Sequence, residues 1–168
     1  NLDVSCPLFK KTFHNIRNSL SKCSKNSKSQ SRKLIGTFGF SHAETLIPIL
    51  GSFGLFNHHQ QEKNNIKINS ANFEKLKNNR TFRGGYYSPM AGNLLLTVGC
   101  STDSNEGVVM ALLNENPIAL PCCKEHFLNG DPSYPVCSNE EFIKCFSPRA
   151  QQCNYYKTCS TPYICKSR

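Results

Sequence analysis

The sequence predicts an α/β fold with a disulfide-rich, irregular extension at its C-terminal end. Three observations predict it. First, a strand-type apolar run, Leu34-Ile35-Gly36-Thr37-Phe38-Gly39-Phe40, turns through Ser41-His42-Ala43-Glu44-Thr45 into apolar residues at helical spacing. These are Leu46, Ile49, Leu50 and Phe53, and Gly54 supplies a natural helix stop. Second, Asn93–Gly99 and Gly107–Leu113 read as strands joined by the turn-rich Cys100–Glu106, an antiparallel hairpin with a longish loop. Third, composition changes at Pro121: seven of the ten cysteines, Cys122, Cys123, Cys137, Cys145, Cys153, Cys159 and Cys165, fall beyond it.

Taken in order, Ser5-Cys6-Pro7 opens a helix, with Ser5 as cap and Pro7 in the first turn. Phe9, Phe13, Ile16 and Leu20 recur on one stripe, so this helix faces a core, and His14 lies off the stripe as a surface residue. Lys22–Lys33 is rich in serine and lysine and reads as a solvated loop. Its Lys22, Lys25, Lys28, Arg32 and Lys33 form either a plain basic loop or an electrostatic funnel toward a phosphate-rich substrate. The run at 34–40 is apolar throughout, as in a mostly parallel sheet whose strands are covered on both faces. The other strands of the chain are too few to surround it, so something else is expected to complete the sheet.

Asn57–Ser70 is a polar connection. His58 and His59 are adjacent, point different ways in any regular element and have no further ligand at useful spacing, so no metal site is expected. Thr81–Tyr87 reads as a strand interrupted, at a bulge, by Gly84-Gly85. The stretch from Pro121 is expected to bury little apolar surface and to hold its shape through disulfides. Adjacent Cys122 and Cys123 are expected to go to two different partners.

Composition bounds the rest. The 168 residues suffice for one ordinary domain, yet only 38% are apolar and tryptophan is absent, so much of the length is loop. Ten cysteines without a Cys-x-x-Cys pair point to disulfides through Cys6, Cys23, Cys100 and the seven later ones, and to a secreted or lumenal setting. Five internal bridges would use every thiol; one outward bridge would strand a cysteine. The sequon Asn79-Arg80-Thr81 fits a glycosylated, secreted protein. No apolar run is long enough to cross a bilayer, and no signal-peptide pattern or starting Met is present. A chain beginning at Asn1 is accordingly expected to be a processed product or part of something longer. The net charge of +9 serves solubility or draws a polyanionic substrate, and no motif speaks for nucleic acid.

The chemistry gathers at Ser41–Thr45. A strand feeding a helix directs His42 and Glu44 out of the strand's carboxyl end, where open α/β sheets bind ligands and the helix amino terminus favours anions. The plainer alternative is an ordinary helix start, with Glu44 favoured in the first turn by the dipole and Thr45 in capping. FGFSHAETLIPILGSFGLF resembles the second signature of the histidine acid phosphatases, in the form found in the multiple inositol polyphosphate phosphatases. Cys6-Pro7-Leu8-Phe9, Phe82-Arg83-Gly84-Gly85, Pro89-Met90-Ala91-Gly92-Asn93-Leu94 and Met110-Ala111-Leu112-Leu113-Asn114-Glu115 follow in the family's order. The resemblance covers roughly residues 1–120 and implies that they are the C-terminal portion of a histidine-phosphatase sheet-and-helix domain. It fades beyond Pro121, where the cysteines make 121–168 read as an extension packed on that domain or as a small binding module.

By the same resemblance, His42 donates a hydrogen bond to the phosphoryl oxygens, Glu44 protonates the leaving group, and Arg83 lines the pocket or pairs with a carboxylate. The family's nucleophile lies in an Arg-His-Gly-x-Arg-x-Pro motif, and no Arg-His pair exists in this chain. The expected function is therefore that of one chain of a secreted histidine-type phosphomonoesterase acting on a phosphorylated small molecule. Its partner would be an N-terminal chain of the same precursor that carries the nucleophile, and no cofactor is implied. In isolation the chain would not be an enzyme. The alternative is a phosphatase-derived ligand-binding or toxin-like secreted protein without catalysis.

Overall fold

The computed structural model describes residues 2–23, 36–55, 69–77, 83–100, 106–123, 126–154 and 156. After a 3₁₀ turn at Leu2–Ser5, helix α1 runs from Cys6 to Leu20 with Pro7 in its first turn. Phe9, Phe13, Ile16 and Leu20 are all buried, as their stripe requires, and His14 is exposed. Ser5 holds the N-cap position, but its side chain makes no cap bond. Its hydroxyl lies 2.7 Å from the Ser52 hydroxyl and donates to the Pro48 carbonyl at 3.2 Å. Ser5 is buried against a second helix, α2 (Ala43–Ser52), and that contact replaces the expected capping role.

Two short helices follow, α3 (Phe73–Leu76) and α4 (Gly84–Tyr87). Strands β1 (Leu94–Cys100) and β2 (Gly107–Leu113) then pair antiparallel, from Leu94 opposite Leu113 to Cys100 opposite Gly107. This is the hairpin read from the sequence. Asn114 and Glu115, with φ of 49° and 68°, form the left-handed two-residue turn into β3 (Asn116–Ile118), which folds back on β2. Further along, β4 (His126–Phe127) pairs with β5 (Pro135–Ser138), and β5 pairs with β2. The sheet order is β1-β2-β5-β4, with β3 on β2, and every described pairing is antiparallel.

Helix α5 (Asn139–Gln152) starts at a capping box in which Ser138 and Glu141 satisfy each other's backbone N–H groups. Its Phe142, Phe146 and Ala150 are buried. The Phe13 and Phe142 rings stack at 6.0 Å, and Phe53 and Phe146 meet edge to face at 5.2 Å. With Phe9, Leu50 and the inward residues Val109, Ala111 and Leu113 of β2, they make one core between the helices and the sheet. The stretch after Pro121 thus buries more apolar surface than expected, because α5 places an aromatic stripe in the main core.

Two strand expectations are corrected. Residues 36–40 belong to no strand and are exposed, with Phe38 and Phe40 left 83% and 96% accessible. An extended apolar segment becomes a strand only when a neighbour takes up its N–H and C=O groups, and no described residue of this chain does so. At 83–87 the chain turns into α4 instead of a bulged strand: Gly84 and Gly85 lack the Cβ that would resist the turn. There the Tyr86 and Tyr87 N–H groups both donate to the Arg83 carbonyl.

Among the described residues, four disulfides join Cys6 to Cys153, Cys23 to Cys100, Cys122 to Cys145 and Cys123 to Cys137. Adjacent Cys122 and Cys123 do go to different partners. Cys159 and Cys165 lie outside the described residues.

Candidate functional site

His42 is the N-cap residue of α2, with extended backbone (φ −108°, ψ 175°), and its carbonyl accepts the N–H groups of Thr45 at 3.0 Å and Leu46 at 3.1 Å. Its imidazole makes no cap bond, which leaves the ring at the open end of the helix. Glu44 stands in the first turn, where the helix dipole favours a negative charge. Both side chains are exposed. Inside the helix, Pro48 has no N–H to give to the Glu44 carbonyl, so the first turn is tied down less tightly than a regular one. The far end of α2 is fixed by Leu50 and Phe53, both fully buried, and by buried Ser52. An anchored helix therefore presents His42 and Glu44 to solvent from its free amino end.

Arg83 is the N-cap residue of α4, and its guanidinium lies over the Tyr86 ring, 5.1 Å from the centroid. Tyr86 in turn meets Tyr87 edge to face at 5.0 Å. His42 and Glu44 thus both stand at the exposed start of α2, whereas Arg83 is engaged with its own turn. Asn79, His58, His59 and the basic residues Lys25, Lys28, Arg32 and Lys33 lie outside the described residues. Among the described residues, no three His, Cys, Asp or Glu side chains cluster as a metal site.

Two of the concavities that the described residues form lie away from α2. One of about 190 Å³ lies among Leu120, Cys123, Phe127, Pro135 and Val136. The other, about 430 Å³, lies among Lys10, Gln151, Gln152 and Cys153. Neither is lined by His42 or Glu44.

Two arrangements were not anticipated from the sequence. Asn114 ties the end of β2 to Asn93, just before β1, and to Tyr87 at the end of α4. Its N–H donates to the Asn93 carbonyl (2.9 Å), its side-chain oxygen accepts from the Asn93 N–H (3.0 Å), and its amide nitrogen donates to the Tyr87 carbonyl (3.3 Å). The signal available was its place beside Glu115 between two apolar runs, a composition suited to a left-handed turn. The second is the polar junction of Ser5, Ser52 and Arg149, in which an Arg149 guanidinium nitrogen donates to the Ser52 hydroxyl at 3.2 Å. No spacing pattern in the sequence points to it.

Over 167 residues the chain is 28% identical to multiple inositol polyphosphate phosphatase 1 of Gallus gallus, covering 98% of this chain. This chain is related in sequence to multiple inositol polyphosphate phosphatase 1. The Homo sapiens protein of that name is 30% identical over 74% of the chain, and the Dictyostelium discoideum protein 32% identical over 51%. The chain spans a third or less of each relative: 33%, 24% and 13% of their lengths. No family model matches it, and no solved structure matches it. Its described disulfides are the chemistry of an oxidising compartment, and no helix among the described residues is long and apolar enough to cross a membrane.

Proposed function

We propose that this chain is the C-terminal part of a secreted or lumenal histidine-type phosphomonoesterase of the inositol polyphosphate phosphatase kind, with the nucleophile on a separate polypeptide. The observation that carries the reading is the similarity to multiple inositol polyphosphate phosphatase 1 along 98% of the chain. The exposed His42 and Glu44 at the amino end of an anchored helix support it, since a site shared with another polypeptide needs its half open.

In this reading, a histidine of the partner attacks the phosphorus and the bond from phosphorus to the leaving oxygen breaks. Glu44 delivers the proton that the departing alkoxide takes up. His42 donates a hydrogen bond to a phosphoryl oxygen, and the dipole of α2 favours the same negative charge. Water then hydrolyses the phosphohistidine, releasing inorganic phosphate and restoring the imidazole. The net charge of +9 draws a polyanionic substrate toward the site.

The test is phosphate release by the native assembly from a simple aryl phosphate and from an inositol polyphosphate, together with native and denatured, reduced masses. Turnover that His42→Ala and Glu44→Gln abolish supports the proposal. A single species of one chain's mass under both conditions overturns the two-polypeptide arrangement. Absence of turnover from a complete assembly favours the alternative, a ligand-binding protein that has kept the fold without the chemistry. The missing Arg-His motif is the observation behind that alternative.

A further inference from the structure

The hairpin of β1 and β2 is apolar on one face and largely apolar on the other. Leu94, Leu96 and Val98 pack with Val109, Ala111 and Leu113 in the core beneath α1 and α5. Alternation along a strand turns Leu95, Val108, Met110 and Leu112 to the opposite face. Leu95 is 50% exposed, and the other three are half-buried without joining the core cluster. An antiparallel sheet with one wet face carries mostly polar residues there; here Thr97, opposite Met110, is the one polar side chain that β1 and β2 place on it. Its outer edge is likewise open among the described residues. Among the described residues β1 pairs only with β2, and its sequence LLLTVGC has neither the charge nor the proline that blunts an edge strand.

We infer that this second face and the free edge of β1 are the surface on which the nucleophile-bearing polypeptide docks, the edge taking one of its strands. The inference rests on the two-polypeptide reading given above and specifies where the two meet. Gallus gallus multiple inositol polyphosphate phosphatase 1 has about two thirds of its length without a counterpart in this chain, which is ample to supply a strand and a covering layer. Exposed Phe38 and Phe40 belong to the same unmet demand. Their neighbour Thr37 lies 3.5 Å from Asn15 of α1, the helix that also packs on β1. A second copy of this chain is the weaker occupant. Pairing β1 with β1 would leave His42 and Glu44 without a nucleophile, which this sequence does not contain.

The test uses the native assembly. Hydrogen exchange read by mass spectrometry is expected to find all of Leu95–Gly99 protected, both the N–H groups turned toward β2 and those turned away. Leu95→Lys and Met110→Lys, introduced in the chain produced together with its partner, are each expected to weaken association on the order of tenfold or more, since a charge would be buried without a counter-ion. Tyr134→Lys, on an exposed turn between β4 and β5, is the control and is expected to leave association unchanged. If a partner co-purifies while alternate β1 amides exchange at solvent rates and both variants bind normally, the inference is overturned and the two-polypeptide reading stands. If the assembly proves to be two copies of this chain, or if nothing co-purifies, the partner reading itself fails and this inference with it.

Discussion

A Cβ on Gly107 would stand 2.5 Å from Leu20 Cδ2 and 3.3 Å from Cys23 Sγ, so α1 closes on β2 at a point where a side chain has no room. Leu20 is 2% exposed and Cys23 is tethered to Cys100, so neither neighbour can step aside cheaply. Gly107→Ala is expected to destabilise by about 1–3 kcal/mol, as overpacking does. A lowered denaturant midpoint at unchanged slope checks this, and an unmoved midpoint refutes it.

The junction of Ser5, Ser52 and Arg149 answers to a different physics. The Ser52 hydroxyl accepts from an Arg149 guanidinium nitrogen and shares a hydrogen bond with the Ser5 hydroxyl, and the Arg149 Nε beside it is already buried without a partner among the described residues. Ser52→Ala is expected to cost about 1–3 kcal/mol, because it leaves buried polar groups unmatched instead of removing apolar contact. Ser52→Thr, which retains a hydroxyl, is expected to recover part of the loss in the same unfolding measurement.

The four bridges should contribute unequally. Cys6–Cys153 spans 147 residues and Cys123–Cys137 only 14. Loop-closure entropy assigns them about 5 and about 3 kcal/mol when each is taken alone. The remaining bridges shorten both loops and leave the order intact. Thermal unfolding of Cys6→Ser/Cys153→Ser should therefore begin well below that of Cys123→Ser/Cys137→Ser, and the reverse order would contradict the topology.

Substitutions at the amino end of α2 should separate activity from stability. His42 and Glu44 are exposed, so Glu44→Gln and His42→Ala are expected to shift stability by no more than about 0.5 kcal/mol. In the complete assembly, loss of the proton donor should lower kcat by about 10²- to 10⁴-fold. Parallel assays of unfolding and phosphate release check both halves. A large stability change without loss of turnover would mean that these residues only start a helix.

What could be read from the sequence follows from how local each cause is. Helix α1 was legible because Phe9, Phe13, Ile16 and Leu20 lie on one stripe, and the β1–β2 hairpin because two apolar runs flank a turn-rich stretch. The run at 34–40 reads as a strand, yet its described part, 36–40, is not one, because strand formation needs a neighbour and apolar composition does not reveal whether the neighbour is in the same chain. Helix α5 carried its own signature, Ser138-x-x-Glu141 followed by Phe142, Phe146 and Ala150, but the density of cysteines around it drew attention to disulfides instead. The turn at 83–87 depends on hydrogen bonds to a single carbonyl, which no periodicity announces. At the site, the order Ser41-His42-Ala43-Glu44-Thr45 gave both the helix start and its exposed pair. The grip of Arg83 on Tyr86 arises only from the fold of α4.

The bond between Cys6 and Cys153 ties the beginning of α1 to the residue just past α5. A protease that clips the backbone anywhere between those cysteines would therefore release nothing: both pieces stay covalently attached until a reductant arrives. On a gel without thiol such nicked molecules would run as one band, their history of cleavage hidden.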